Sequence, residues 1–330
     1  MIGGFAFLGA TSSGNVIYPA AADYTDSLDT STLVIAGHTV ARANALSSLR
    51  LSVAAGCSAL TVFGIHNDAV GAADSLPLFV DGVYSKALTF VVANSVEAVV
   101  LTLDKQPHTV EIVNGSQGYG VNGAWVRAVS SVGGAVAVLP NPSVARRLAV
   151  YGDSIAVGAL ADLQVRHGWV GILRTTFSGR IAVEAWGGRA LHDESAAVAA
   201  ARLVGLCFDA SQREIWDGMG YNDWGGSGWT AADYGAGVGT LYDLIHAADP
   251  QVHIYSQTPL ITAAESATNA LAETIVQFRA AKAAAAAARS SYVTAVNGTA
   301  LLAPGDLSDG IHPTTAGHTK LAGAIAAIIG

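Results

Sequence analysis

The feature that most constrains this chain is a change of period near "LPNPSVARR", at about residues 139 to 147. Before it, from about residue 30, short β-branched segments recur between turn residues: "STLVIAG", "LRLSVAAG", "ALTVFGI", "LPLFVDG", "ALTFVVAN", "AVVLTLD", "HTVEIVNG" and "WVRAVSSVGG". That spacing predicts an all-β, jelly-roll-like sandwich in which two sheets bury alternate side chains. After it, strand-like and helix-like runs alternate, which predicts a parallel sheet with helices on both faces. The two prolines mark a linker, so the expected division is a sandwich over residues 1–145 and an α/β unit over 146–330. A chain of 330 residues is long enough for two such cores.

In the second part, strands are expected at 148–151, 181–184, 214–218, 252–257 and 292–296. The longest helix is expected from about residue 263 to 290, through an alanine run at 283–288 that favours helix and borders solvent. Parallel sheets of this kind bind ligands at the carboxyl ends of their strands, so the turns after these strands are where chemistry should gather.

Composition excludes several classes. Only 13% of residues are charged, about half the usual ~25%, and mean hydropathy is +0.41. Even so, no apolar run approaches the ~20 residues of a membrane span. A net charge of −8 without a Lys/Arg cluster argues against a nucleic-acid partner. The opening "MIGGFAFLGATSSGN" lacks a basic n-region and does not read as a signal peptide, which leaves the compartment unassigned and extracellular action compatible with the sequence. Cys57 and Cys207 lie far apart and read as free buried thiols. Neither they nor the histidines show ligand spacing, so no metal is expected. The oligomeric state is left open.

Three turns carry the chemistry. The first strand breaks at Gly152-Asp153-Ser154, placing Ser154 at the expected start of a helix on the ligand-binding edge, where a nucleophile would sit; the bland alternative is a helix cap. The third strand runs into "GMGYNDWGGSGW", whose Asn222 has an amide that can donate to an oxyanion or simply close an Asx-turn. Near the end, "GDLSDGIHPTTAGH" sets Asp309 three residues before His312, so that the carboxylate can reach Nδ1 of the imidazole; Asp306 is a more distant substitute.

With these blocks in order, "YGDSIAVG", "GYND" and "DGIHP", the second part resembles the SGNH (GDSL) hydrolase superfamily. The resemblance implies a three-layer α/β/α, flavodoxin-like parallel-sheet domain and a serine esterase mechanism. Ser154 would attack an acyl carbonyl, His312 would move the proton, and Asp309 would orient the imidazole, with no metal and no organic cofactor needed. The oxyanion hole would comprise the Ser154 N–H, the Asn222 side chain and a glycine N–H from the family's second block. "VEAWGGRAL" stands there, without the asparagine commonly seen ahead of that glycine; Gly187 and Gly188 compete, and register favours Gly188.

A sandwich ahead of such a domain resembles carbohydrate esterase family 2, whose members remove acetyl groups from plant polysaccharides. That layout implies an acetylated glycan or other small short-acyl ester as substrate, with the sandwich shaping the cleft or holding glycan. A lipid or thioester hydrolase, or an acyltransferase, would use the same triad. A glycan-binding module with a degenerate hydrolase domain is the reading from another class. Trp186, Trp224 and Trp229 fall in the edge loops, where each can stack on a sugar or pack locally. For His192, Asp193 and Asp223, surface placement is the expectation.

Overall fold

In the first part, strands form where apolar residues alternate with polar ones. A computed structural model describes residues 16–17, 24–25, 32–35, 38–41, 47–66, 75–113, 124–139, 144–162, 164–207, 210–226 and 228–330. The opening segment 1–15 and linker residues 140–143 therefore lie outside the described residues. The strands here are β1 (Val16–Ile17), β2 (Tyr24–Thr25), β3 (Thr32–Ile35), β4 (His38–Ala41), β5 (Ser48–Val53), β6 (Ala59–His66), β7 (Ser75–Val80), β8 (Val83–Thr89), β9 (Val96–Thr102), β10 (His108–Val113), β11 (Ala124–Val132) and β12 (Val136–Val138). They pair antiparallel in two main sheets, β1-β11-β6-β9 and β12-β5-β10-β7-β8 with β2 beside β5, while β3 and β4 form a separate hairpin. Leu49 and Leu51 of one sheet and Leu60 and Val62 of the other share a single core.

Two readings of this part need correction. "ALTFVVAN" is a strand only in its first half, because β8 ends at Thr89; the chain then turns, with Asn94 at φ +59° and the Glu97 carboxylate accepting the Val92 N–H at 2.7 Å. The linker is shorter than expected, since Arg146 and Arg147 already belong to a buried strand.

That strand, β13 (Arg146–Gly152), is the middle of a five-stranded parallel sheet with β14 (Arg180–Ala185), β15 (Gln212–Asp217), β16 (Val252–Gln257) and β17 (Val293–Val296), in the order β14-β13-β15-β16-β17. Its alternate residues serve two faces. Leu148 and Val150 meet α1 (Gln164–His167), α2 (Trp169–Arg174) and α7 (Thr315–Ile329). Ala149 and Tyr151 meet α3 (Ala196–Cys207), α5 (Ala231–Ala248) and α6 (Ile275–Ala287). The short α4 (Tyr221–Gly226) caps the sheet edge. Val113 and Phe79 of the sandwich join the core around Leu148, tying the two parts together. Arg146 clamps the amino edge: it forks onto Glu214 at 2.7 and 3.1 Å and donates to the α7 carbonyls of Ile329 and Gly330 at 2.5 and 2.7 Å.

The helix expected from residue 263 begins only at Ile275. The Asn269 carboxamide accepts the N–H groups of Leu271 and Glu273 at 2.9 and 3.0 Å, and Ala272 takes φ +60°, which together hold a turn. Thr274 then starts the helix with Gln277 bonded back to its N–H at 2.6 Å. Propensity favoured helix throughout, and local side-chain bonds overrode it. The alanine run is mixed, with Ala285 and Ala286 buried and Ala287 and Ala288 exposed. Both cysteines are free and buried.

His108, at the start of β10, lies between two carboxylates, with Nδ1 2.7 Å from Asp81 and Nε2 2.9 Å from Asp104. Both ring nitrogens donate only in the imidazolium. The bonds to Asp81 and Asp104 accordingly raise the His108 pKa. Asp81 is lowered by His108 and by the Thr109 N–H, and Asp104 by the Gln106 N–H and then His108. The raised histidine stabilises the fold below about pH 6.5 and loses this contribution as pH rises through its folded value; the lowered carboxylates contribute above about pH 4 and lose it in acid. The clasp is therefore strongest between about pH 4 and 6.5. In urea titrations, the midpoint difference between wild type and His108→Ala should be largest near pH 5.5 and shrink above pH 8. A difference that does not change over that range would rule out the charged clasp.

Candidate active site

The site starts at Gly152, where β13 leaves the sheet. A Cβ on Gly152 would lie 2.5 Å from that of Ala156, so the turn closes only with glycine there. Asp153 is buried, and its Oδ1 accepts the Ile155 N–H at 2.9 Å. Burial pushes its carboxyl up to about 6, against the pull of the Ile155 N–H, His312 and Lys282. Ser154 is not at a helix start as expected. Up to Asp162 the backbone runs through successive turns, because Gly158 at φ +86° and Leu160 at φ +64° interrupt any helix.

The turn nevertheless aims Ser154 at the imidazole. Its Oγ is 2.8 Å from His312 Nε2, and His312 Nδ1 is 2.8 Å from Asp309 Oδ2. Asp309 also accepts the N–H groups of Ile311 and His312 at 3.0 and 2.7 Å. Partial burial raises its carboxyl, but the His312 side chain and these two N–H groups outweigh that and hold it at about 2. The loop carrying both residues is closed by Ser308 N–H donating to the His312 carbonyl and Thr314 N–H to that of Asp306, at 2.8 Å each. Thr314 then caps α7 through the Gly317 N–H at 3.0 Å. Asp306 points elsewhere, to Lys320 at 2.6 Å.

The candidate amide donor, Asn222, lies on α4 just past β15. Its Nδ2 donates to the Arg189 carbonyl at 2.9 Å, and a longer 3.3 Å contact runs to Asp153 Oδ2. In free enzymes such bonds are often long and rearrange when substrate binds. Gly188 occupies a turn closed by the Arg189 N–H on the Trp186 carbonyl at 3.3 Å; its φ of +79° suits glycine, and it is exposed. Gly187 precedes it in the same turn.

An open cleft of about 570 Å³ lies beside these residues, lined by Gly188, Asn222, His192, Asp193, Tyr221, Trp224, Thr268 and Asn269 among others. A second cavity of about 20 Å³ lies behind the Ser154 turn, lined by Asp153, Ile155, Trp169, Trp216, Tyr221 and Leu321 among others, and neither Ser154 nor His312 lines it. It has room for one water- or methyl-sized group. Among the described residues, none of the sandwich lines either space.

The tryptophans divide. Trp224 borders the cleft but is itself buried, and its indole N–H donates to the Glu273 carbonyl at 2.9 Å. Trp186 lies under the Arg189 guanidinium, 3.6 Å from the ring centre, and Trp229 packs near His192 with ring centres 5.6 Å apart. His192 and Asp193 line the cleft. Asp223 is not on the surface as expected: it is fully buried, accepting the Leu191 N–H at 2.8 Å, and burial raises its pKa.

Sequence reasoning also missed Lys282, hidden in the alanine-rich helix. It is fully buried, 3.0 Å from Asp217 Oδ2, and donates to the Met219 carbonyl at 2.8 Å directly below the Asn222 loop. Burial lowers its pKa, opposed chiefly by Asp217. Among the described residues, no group of three or more His, Cys, Asp or Glu could hold a metal ion, and no helix is long and apolar enough to cross a membrane.

The model of the GDSL-like lipase/acylhydrolase family matches residues 150–320, and the chain belongs to this family of SGNH-type hydrolases. Its two-part layout is that of carbohydrate esterase family 2. A salicylyl-acyltransferase, SsfX3, from a tetracycline biosynthetic pathway is similar at 15% identity over 96% of this chain and 98% of that one, with a TM-score of 0.73. A family two carbohydrate esterase from Clostridium thermocellum in complex with cellohexaose is similar at 14% identity over 95% and 98%, TM-score 0.68. One from Cellvibrio japonicus is similar at 18% identity over 96% and 95%, TM-score 0.64. At these identities the likeness is one of fold, and it spans both parts of the chain. Comparison with curated proteins gives no match.

Removing Lys282 should be felt in stability. Lys282→Met leaves Asp217 buried without its ammonium and should cost about 3–5 kcal/mol. Denaturant unfolding at neutral pH checks this; a loss below about 1 kcal/mol would mean that Asp217 finds another partner.

Proposed function

We propose that this hydrolase is a serine esterase that removes acetyl or similarly short acyl groups from a carbohydrate or other small alcohol. The observation that carries the reading is the relay from Ser154 Oγ to His312 Nε2 and from Nδ1 to Asp309, 2.8 Å at each step, beside an open cleft.

In this mechanism Ser154 Oγ attacks the ester carbonyl while its proton passes to His312 Nε2. Asp309, ionised across the working range, fixes the tautomer and stabilises the imidazolium. The tetrahedral oxyanion is met by the N–H groups of Ser154 and Gly188 and by the Asn222 amide, whose long contact to Asp153 yields to the stronger acceptor. His312 protonates the leaving alcohol, and the C–O bond breaks to leave an acyl-Ser154. Water, deprotonated by His312, then attacks the acyl-enzyme and releases the acid and free Ser154.

A short acyl group is supported by the layout shared with the family two carbohydrate esterases. The polar cleft wall of His192, Asp193, Thr268 and Asn269 supports a hydroxyl-rich alcohol. Family two esterases, one of them holding cellohexaose, point the same way through their fold. Acyl transfer to an alcohol acceptor is the second reading, favoured by the fold shared with the salicylyl-acyltransferase. We place the border between the parts at residues 145 and 146, with residues 1–145 as sandwich and 146–330 as hydrolase domain.

Hydrolysis of p-nitrophenyl esters and acetate release from acetylated xylan, mannan and sugar acetates test this reading. Acetate should be preferred over octanoate, with Ser154→Ala and His312→Ala inactive but folded and Asp309→Asn reduced by about 10²-fold or more. Full activity in Ser154→Ala would remove that residue from the mechanism. Faster hydrolysis of octanoate would overturn the short-acyl assignment. Ester formation outpacing hydrolysis in the presence of an alcohol acceptor would favour transfer.

A further inference from the structure

Next to Gly188 in sequence stands a buried cation to which the mechanism gives no role. Arg189 directly follows Gly188, and its side chain is fully buried. The guanidinium lies against the rings of Tyr151 and Trp186, with its central carbon 4.3 and 3.6 Å from their centres. Nη1 donates to the Glu184 carbonyl at 2.6 Å, Nη2 donates to the Glu194 carboxylate, and the Glu184 carboxylate is 3.3 Å away. A buried guanidinium with this many partners has one position, because leaving it would strand charge in the interior.

The main chain of the same residue reaches both donors. Its peptide N–H closes the turn that sets Gly188, and its carbonyl accepts the Asn222 amide at 2.9 Å. That second contact decides orientation. A carbonyl accepts only from the NH₂ end of a carboxamide, so Arg189 holds the donating end of Asn222 toward the site; the reversed amide would present an oxygen that repels an oxyanion. We propose that Arg189 is a positioning residue for the oxyanion site, its anchored side chain fixing, through its carbonyl, the facing of the Asn222 amide. This rests on the ester-hydrolysis reading above.

The test is a double-variant cycle on p-nitrophenyl acetate with the full chain, combining Arg189→Met and Asn222→Ala and recording kcat, KM and unfolding midpoints. Asn222→Ala should lower kcat by about 10²–10³-fold. Arg189→Met should lower kcat by at least about tenfold with KM changed by less than about threefold, because the loss falls on the transition state. The double variant should lie within about threefold of Asn222→Ala, since the arginine then has no amide left to orient. Losses that multiply, or an Arg189→Met kcat equal to wild type, would overturn the proposal. Should Arg189→Met not fold, Glu194→Gln, which removes one anchor and keeps the arginine, enters the same cycle with non-additivity as the deciding criterion. A wild type without turnover would instead defeat the ester-hydrolysis reading.

Discussion

The site depends on the parallel pairing of β13 between β14 and β15. Tyr151 stands opposite Glu184 on one side and Asp217 on the other, and Gly152 opposite Ala185. Parallel neighbours end on the same edge about 4.8 Å apart, so the turns after all three strands must open side by side. Residues 154, 188 and 222 are brought together by that register, although long stretches of chain separate them. His312 arrives by another route, on the loop that leads into α7. The Arg146 clamp at the far edge holds the end of that helix to β13 and β15, so the register is pinned from both ends.

Beneath the turns, charge is arranged with little tolerance. Asp153, Asp217 and Asp223 are all buried close to the strand ends, and Lys282 is buried among them. Burial works against the ionised forms of Asp153 and Asp223 and shifts both upward. Each is met by main-chain donors: Ile155 for Asp153, Met219 for Asp217 and Leu191 for Asp223. The same bonds that satisfy these acids also shape the backbone of the loops above. Structural polarity and site geometry are therefore one network.

The sequence made some of this legible and hid the rest for physical reasons. The strands of the parallel sheet were readable because buried parallel strands are continuous apolar runs, and the turns that carry Ser154 and Asn222 because they fall where such runs stop. The start of α6 was not readable: alanine propensity extends across residues 263–274, and only the Asn269 carboxamide, bonding its own neighbours, cuts the helix short. Asp223 gave no sign of burial, since an acid beside an asparagine in a glycine-rich loop has the signature of a solvated turn. Lys282 and Arg189 were invisible for the same reason, because an isolated cation in a helix or a turn defaults to solvent. Their partners come from other elements and become evident only when those elements meet.

The two thiols have a use that follows from where they sit. Cys57 lies in the sandwich core and Cys207 in the parallel-sheet core, and burial pushes the Cys207 thiol up to about 12. A thiol reacts as its thiolate and only where reagent can reach it, so each is silent until its surroundings come apart. The chain thus carries one native reporter in each half, and the rates at which an alkylating reagent captures them would separate the breathing of the sandwich from that of the half that bears Ser154.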